Sequence, residues 1–197
     1  MAAPDNELSE HDKVLLEVGR CLNAWSKVEK NLASFFVDLH LPHGVTPLDK
    51  YFPLRAAIDA VISFEARLTM IDASVKTSML ADALIKSKWP NLKNRLLKQY
   101  KKRHQVAHFE LTIINSRPAI QPFPTFSASW SKTGEVPLTS KDIRKRTSVF
   151  EELTNETGAY CWYMGRHAVP SQFSPSITRA YLPLIQREAV STKEEDN

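Results

Sequence analysis

Three neighbouring side chains in the middle of the chain have the types and spacing of an acid–base site. Arg103 and His104 are adjacent, and His108 follows four residues after His104. Histidine gains and loses a proton near neutral pH, whereas arginine keeps its positive charge. The three residues therefore offer a proton acceptor, a proton donor and a fixed cation, which together suit chemistry at a phosphate group.

The segment that carries these residues, 92–111, is predicted to form one basic amphipathic helix. Apolar or aromatic positions recur at steps of three and four residues, and the predicted buried stripe comprises Leu92, Leu96, Leu97, Tyr100, Ala107 and Leu111. Pro90 stands where a first-turn proline belongs. No acidic residue occurs between Asp82 and Glu110, so the helix should attract polyanions. Its candidate contacts to a nucleic-acid backbone are Arg95, Lys98, Lys101 and Lys102.

The pattern at the end of this helix resembles the signature of the HEPN superfamily. That signature is an arginine, a small polar residue or histidine, three further residues and a histidine, here Arg103, His104 and His108. The resemblance implies a helical, metal-independent endoribonuclease in which the arginine and histidine of two subunits meet in one cleft. It also implies that His104 orients the pair or contacts phosphate, that no cofactor is needed, and that the protein is a toxin or defence effector with an antitoxin partner.

The resemblance covers about residues 9–167 in the order and type of elements, but only the six-residue motif is specific. A subset of HEPN toxins has a tyrosine two residues after the histidine, and this chain has Glu110 there. Regulation through modification of that tyrosine is therefore not expected. The carboxylate also places negative charge near the predicted cleft, which should weaken RNA binding.

RNA supplies its own nucleophile, the ribose 2′-OH, so cleavage needs only proton transfer and a cation at the phosphate. The expected products are a 2′,3′-cyclic phosphate, or the 3′-phosphate after hydrolysis, and a 5′-OH end. Residues five apart on an ideal helix are separated by about 140°, so one helix would splay Arg103 and His108. A second copy across a two-fold axis would bring both pairs into one cleft, and the sequence therefore predicts a homodimer.

Other readings of the same residues remain open. Arg103 and His108 could form an ordinary basic cluster at the negative end of a helix dipole, as in a non-catalytic all-α dimeric scaffold or regulator, or in a protein that binds RNA without cleaving it. His104 and His108 also have the spacing of two metal ligands. Gln105 stands where zinc proteases have glutamate, and no Cys or Asp completes a set nearby, so we predict no metal.

The composition is that of an ordinary globular protein. The 197 residues are 43% hydrophobic and 24% charged, which fits one domain, and the net charge of +4 is concentrated in the central helix. We find no signal-peptide pattern and no apolar run long enough to span a membrane. Cys21 and Cys161 lie in separate apolar segments and are predicted to be buried free thiols. These features favour the cytoplasm.

The twelve prolines leave four long proline-free windows, which predict an all-α protein, an elongated antiparallel bundle of four main helices. The first helix is predicted at about 9–40, the second at 54–86 and the fourth at 139–167. Capping boxes of Ser9 with Asp12 and of Thr139 with Asp142 start the first and fourth helices. Alternating residues predict a short β-hairpin or extended arm at 109–137, after the third helix. The tails 1–8 and 188–197 are predicted to be disordered.

Glu29 is a further candidate, as a supporting residue of the site. It lies beside the apolar stripe of the first helix, where a carboxylate is costly to bury without a cation. Pairing with an arginine of the central helix or with Arg67 would explain it. A surface position beside Lys27 or Lys30 would explain it equally well.

Overall fold

The computed structural model describes residues 8–41, 48–122 and 137–168. Within them lie five helices, α1 (Glu10–Asp38), α2 (Leu48–Asp59), α3 (Phe64–Thr77), α4 (Ala83–His108) and α5 (Ser140–Ala168), and two strands, β1 (Phe109–Ile114) and β2 (Arg117–Pro122). The predicted helical class with a hairpin after the central helix is confirmed. The predicted tails, apart from Leu8, and residues 123–136 of the predicted arm lie outside the described residues.

The two predicted capping boxes are confirmed, and they fix where the first and last helices begin. The Asp12 amide donates to Ser9 Oγ at 3.1 Å, and Ser9 Oγ donates to Asp12 Oδ2 at 2.6 Å. At α5, Thr139 N and Oγ1 donate to Asp142 Oδ2 at 2.9 and 2.6 Å. The hydrogen bond from the Thr139 hydroxyl lowers the pKa of the Asp142 carboxyl. Each box satisfies amide groups that have no partner inside the helix.

The prediction of one continuous second helix is wrong. The chain breaks twice in this range, and an N-cap residue starts a new helix after each break. Ser63 Oγ accepts from Ala66 N at 3.3 Å and starts α3. Asp82 Oδ1 accepts from Ile85 N at 2.9 Å and starts α4, so Pro90 lies inside this helix and not in its first turn. Ile62 and Met79 fit the apolar pattern of the predicted second helix, but they lie in the two breaks and are 96% and 99% exposed.

Contacts divide the chain into two compact units. Among the described residues, the first comprises 8–26, 99–122 and 137–151, and the second comprises 27–41, 48–98 and 152–168. Helices α1, α4 and α5 each contribute one part to each unit. None of the described helices is long and apolar enough to cross a membrane.

An aromatic cluster holds the first unit together. Trp25 packs edge-on against Phe150 of α5 with ring centroids 5.0 Å apart, and its centroid lies 6.2 Å from that of Tyr100 of α4. All three helices of the unit therefore meet at one indole. Cys21 is buried and free one turn earlier on α1, as predicted, and this burial raises the pKa of its thiol.

The hairpin closes the end of α4 in the same unit. Phe109 to Ile114 pair antiparallel with Arg117 to Pro122. Asn115 and Ser116 form the two-residue turn with φ of 49° and 61°, the left-handed backbone of a type I′ turn. Leu138 forms a further antiparallel bridge with Ile120 just before α5. The chain thus returns to the hairpin before its last helix begins.

The second unit has its own aromatic core. Phe35 of α1 lies with its ring centroid 5.6 Å from that of Trp89 of α4 and 5.5 Å from that of Tyr160 of α5. The Cys161 thiol is free and half-buried, and it donates to the Asn31 carbonyl at 3.1 Å. Asp82 also accepts from the Tyr163 hydroxyl at 2.6 Å, so one carboxylate joins the start of α4 to α5.

A largely covered carboxylate links α3 to α4 in this unit. Asp72 accepts from Lys76 at 2.7 Å, from Lys93 at 3.1 Å and from the Trp89 indole at 3.0 Å. The hydrogen bond from Lys76 is the largest cause that lowers the pKa of Asp72 to about 2, and burial opposes it. The folded state therefore favours the ionised carboxylate.

Replacing Asp72 with asparagine is expected to lower the free energy of unfolding at neutral pH by about 1–3 kcal/mol. The pKa of Asp72 is lowered from 3.8 to about 2 in the folded chain. The wild-type advantage should therefore be complete above the unfolded pKa and disappear as the pH falls towards the folded one. Urea unfolding across this pH range measures it. Asp59→Asn is the matched control, because its ion pair with Arg55 is at the surface; a pH-independent difference for Asp72→Asn would contradict the prediction.

Candidate active site

The last four turns of α4 place Arg103 on the helix face that is buried in the first unit. The buried stripe of the unit follows Gln99, Arg103 and Val106 at steps of four and three residues. Gln99 and Val106 are buried, and Arg103 is half-buried between them. The predicted stripe was wrong here, since Tyr100 and Ala107 are only half-buried. The buried face of α4 in this unit is therefore rotated from the predicted stripe towards Gln99 and Arg103.

The two histidines lie on the solvent-facing side of the same helix end. His104 and His108 are both exposed, and their ring centroids are 4.1 Å apart with the rings tilted by 44°. The separation follows from the helix, because residues four apart are neighbours on its surface. The structure therefore brings the two predicted imidazoles together at the last turn of α4.

Arg103 has no carboxylate partner among the described residues. Its Nε is buried and has no hydrogen-bond partner there. No described hydrogen bond or ion pair joins Arg103 to His104 or His108. One chain does not by itself assemble the arginine and the histidines into a single site.

Helix α5 supplies a cation that the sequence reasoning missed. Arg146 Nη1 donates to the carbonyl oxygen of Lys102 at 2.9 Å. This contact fixes the start of α5 against the last turns of α4 and adds positive charge at the end of that helix. The signal in the sequence was a cation among the apolar positions Ile143 and Phe150, where a charge needs a partner.

The predicted backbone-binding cations fall into two groups. Lys101 is exposed and Lys102 is half-buried in the first unit. In the second unit Lys98 is exposed, whereas Arg95 Nη1 already pairs with Glu156 Oε2 at 2.5 Å. Arg95 would have to exchange this partner to contact a phosphate.

Glu29 pairs with Arg67, which decides between the two readings of this residue. Arg67 Nη1 lies 3.3 Å from Glu29 Oε2, and both side chains are about three-quarters buried. Arg67 Nε also donates to the Val61 carbonyl at 2.5 Å. Both residues belong to the second unit, where their ion pair joins α1 to α3. The structure thus supports the reading in which Glu29 pairs with Arg67.

Within the described ranges, no group of three or more His, Cys, Asp or Glu side chains is arranged to hold a metal ion. The chain matches no protein-family model, and neither the curated proteins nor the solved structures compared with it gave a match. The fold and the site define a mainly helical protein with an exposed histidine pair and a half-buried arginine at the end of a basic helix.

Proposed function

We propose that the protein is a metal-independent endoribonuclease of HEPN type that acts as a homodimer. The observation that carries the proposal is the exposed pair of His104 and His108 beside an arginine that no described carboxylate neutralises. Two adjacent imidazoles can supply proton transfer, and the guanidinium supplies positive charge, which together suit cleavage of RNA through its own 2′-OH.

In the proposed reaction a neutral imidazole accepts the proton of the ribose 2′-OH. The 2′ oxygen forms a bond to phosphorus as the bond from phosphorus to the 5′ oxygen breaks. A protonated imidazole gives its proton to the leaving 5′ oxygen, and Arg103 stabilises the negative charge on the phosphate. The products are a 2′,3′-cyclic phosphate and a 5′-OH end. His108 and His104 are adjacent enough to share the two proton-transfer roles.

The homodimer follows from the two faces that these residues occupy. In one chain Arg103 lies on the half-buried face of α4 and the histidines lie on its exposed face. A second copy placed across a two-fold axis at the end of α4 would set its arginine towards the first copy's histidines. Exposed Lys101 would then contact the RNA backbone. An enzyme of this kind would act in the cytoplasm as a toxin or defence effector, restrained by an antitoxin protein.

Incubation of the purified protein with total RNA in excess EDTA tests this function. Cleavage should continue under chelation, and the products should carry 5′-OH and cyclic phosphate ends, because the proposed chemistry uses only side chains. The ends are identified by their response to polynucleotide kinase with and without its 3′-phosphatase activity. Cleavage that stops in EDTA, or that leaves 5′-phosphates, would rule out the mechanism.

One observation favours a second candidate, a non-catalytic helical scaffold, regulator or RNA-binding protein. Arg103 occupies a position in the buried stripe of the first unit, where an arginine can serve packing through its aliphatic stem. An RNA-binding protein would retain RNA in a filter-binding assay at low salt and lose it as salt rises, with no product formed. A scaffold would show neither binding nor cleavage.

A further inference from the structure

A polar pair interrupts the buried stripe of the first unit. Gln99 is only 8% exposed, and its Oε1 is buried without a hydrogen-bond partner among the described residues. Arg103, four residues later, has a buried Nε in the same condition. One atom is an acceptor and the other a donor, and both belong to one face of α4. The next stripe residue of this unit, Val106, is apolar and buried.

We infer that Gln99 is a positioning residue for Arg103, through a hydrogen bond from Arg103 Nε to Gln99 Oε1. Residues four apart on a helix are in reach of each other, so rotation of the two side chains alone can make this bond. A buried acceptor and a buried donor each carry a desolvation cost, and one hydrogen bond removes both. No described group competes for either atom.

The hydrogen bond would orient the Arg103 guanidinium for the proposed RNA cleavage. This part of the inference rests on the proposed function. Tying Nε to Gln99 fixes the plane of the guanidinium, because Nε and both Nη atoms are coplanar. The two Nη groups then project from a fixed base towards a phosphate and bind it as a fork. Gln99 touches no RNA in this scheme and acts only through Arg103.

A methionine at position 99 separates this role from a packing role. Methionine has nearly the same length and volume as glutamine but cannot accept the bond, so this substitution removes the acceptor without opening a cavity. Gln99→Met should therefore fold, and it should melt somewhat below wild type because the buried Arg103 Nε–H loses its acceptor. Cleavage by this variant should fall about 10- to 100-fold in kcat with little change in KM. Gln121→Met, a half-buried glutamine of the hairpin in the same unit, is the matched control and should cleave like wild type.

A second measurement does not depend on any nuclease activity. In the ¹⁵N-labelled wild-type protein, the Arg103 Nε–H signal is assigned by its loss in Arg103→Lys. It should exchange slowly with water and show a scalar coupling across the hydrogen bond to the Gln99 side-chain carbonyl carbon. In Gln99→Met the exchange should become fast.

The two readouts separate failure of the inference from failure of the proposed function. Fast exchange of the Arg103 Nε–H in wild type, or equal protection in Gln99→Met, would overturn the positioning role even if RNA is cleaved. A protected, coupled signal in a protein that does not cleave RNA would support the hydrogen bond and refute the nuclease. Because the coupling is measured in wild type, a Gln99→Met variant that fails to fold leaves this test intact.

Discussion

Replacing Arg103 or His108 with alanine is expected to abolish RNA cleavage while leaving the helical fold in place. His108 is exposed and contributes no core packing, and the Arg103 guanidinium has no described ion pair to lose. Loss of a general acid or base, or of the cation at the phosphate, should each lower the rate by about 100-fold or more. Cleavage of an end-labelled RNA gives the rate, and far-UV circular dichroism with thermal melting gives the fold.

Two controls share the chemistry of these residues without their position. His11→Ala removes an exposed histidine of α1, and Arg117→Ala removes an exposed arginine of the hairpin. Both variants should cleave within about twofold of wild type, since isolated surface substitutions change little. If Arg103→Ala and His108→Ala instead unfold, the residues are structural, and if both remain active, the catalytic assignment is wrong.

Mixing the two inactive variants should restore activity, because the proposed cleft draws on two chains. A heterodimer of Arg103→Ala and His108→Ala subunits carries one intact arginine from one chain and one intact histidine from the other. After subunit exchange about half of the dimers are of this kind, so activity should reappear as the heterodimer forms. Cleavage is followed over time after mixing, with exchange monitored by fluorescence transfer between labelled subunits.

Dilution provides an independent check of the same dimer. A monomer holds only part of the cations and proton-transfer groups, so specific activity should fall through the dimer dissociation constant in step with dissociation. Analytical ultracentrifugation gives that constant. A monomer that cleaves at the full rate, or a mixture that stays inactive although subunits exchange, would refute the composite cleft. Dimers whose α4 ends lie on opposite outer faces would refute its geometry.

The sequence by itself determined the features that are encoded within a few consecutive residues. Ser9 with Asp12 and Thr139 with Asp142 start helices because each pair satisfies amides three residues away. The turn at Asn115 and Ser116 follows from the tolerance of asparagine for left-handed backbone. The spacing of His104 and His108 also predicts their contact, since a helix brings such residues together wherever it lies.

Only the tertiary structure decided which side of a helix is buried and where a long apolar pattern is broken. The pattern through Ile62 and Met79 continues across both breaks, so periodicity alone could not place them. The pairing of Glu29 with Arg67 joins residues far apart in the chain, and local sequence contains no signal that selects this partner. Gln99 and Arg103 belong to the buried stripe because tertiary packing in the first unit covers that face of α4. A helix wheel contains the angles between side chains but not the position of the helices that pack against it, and that position sets the environment of the arginine.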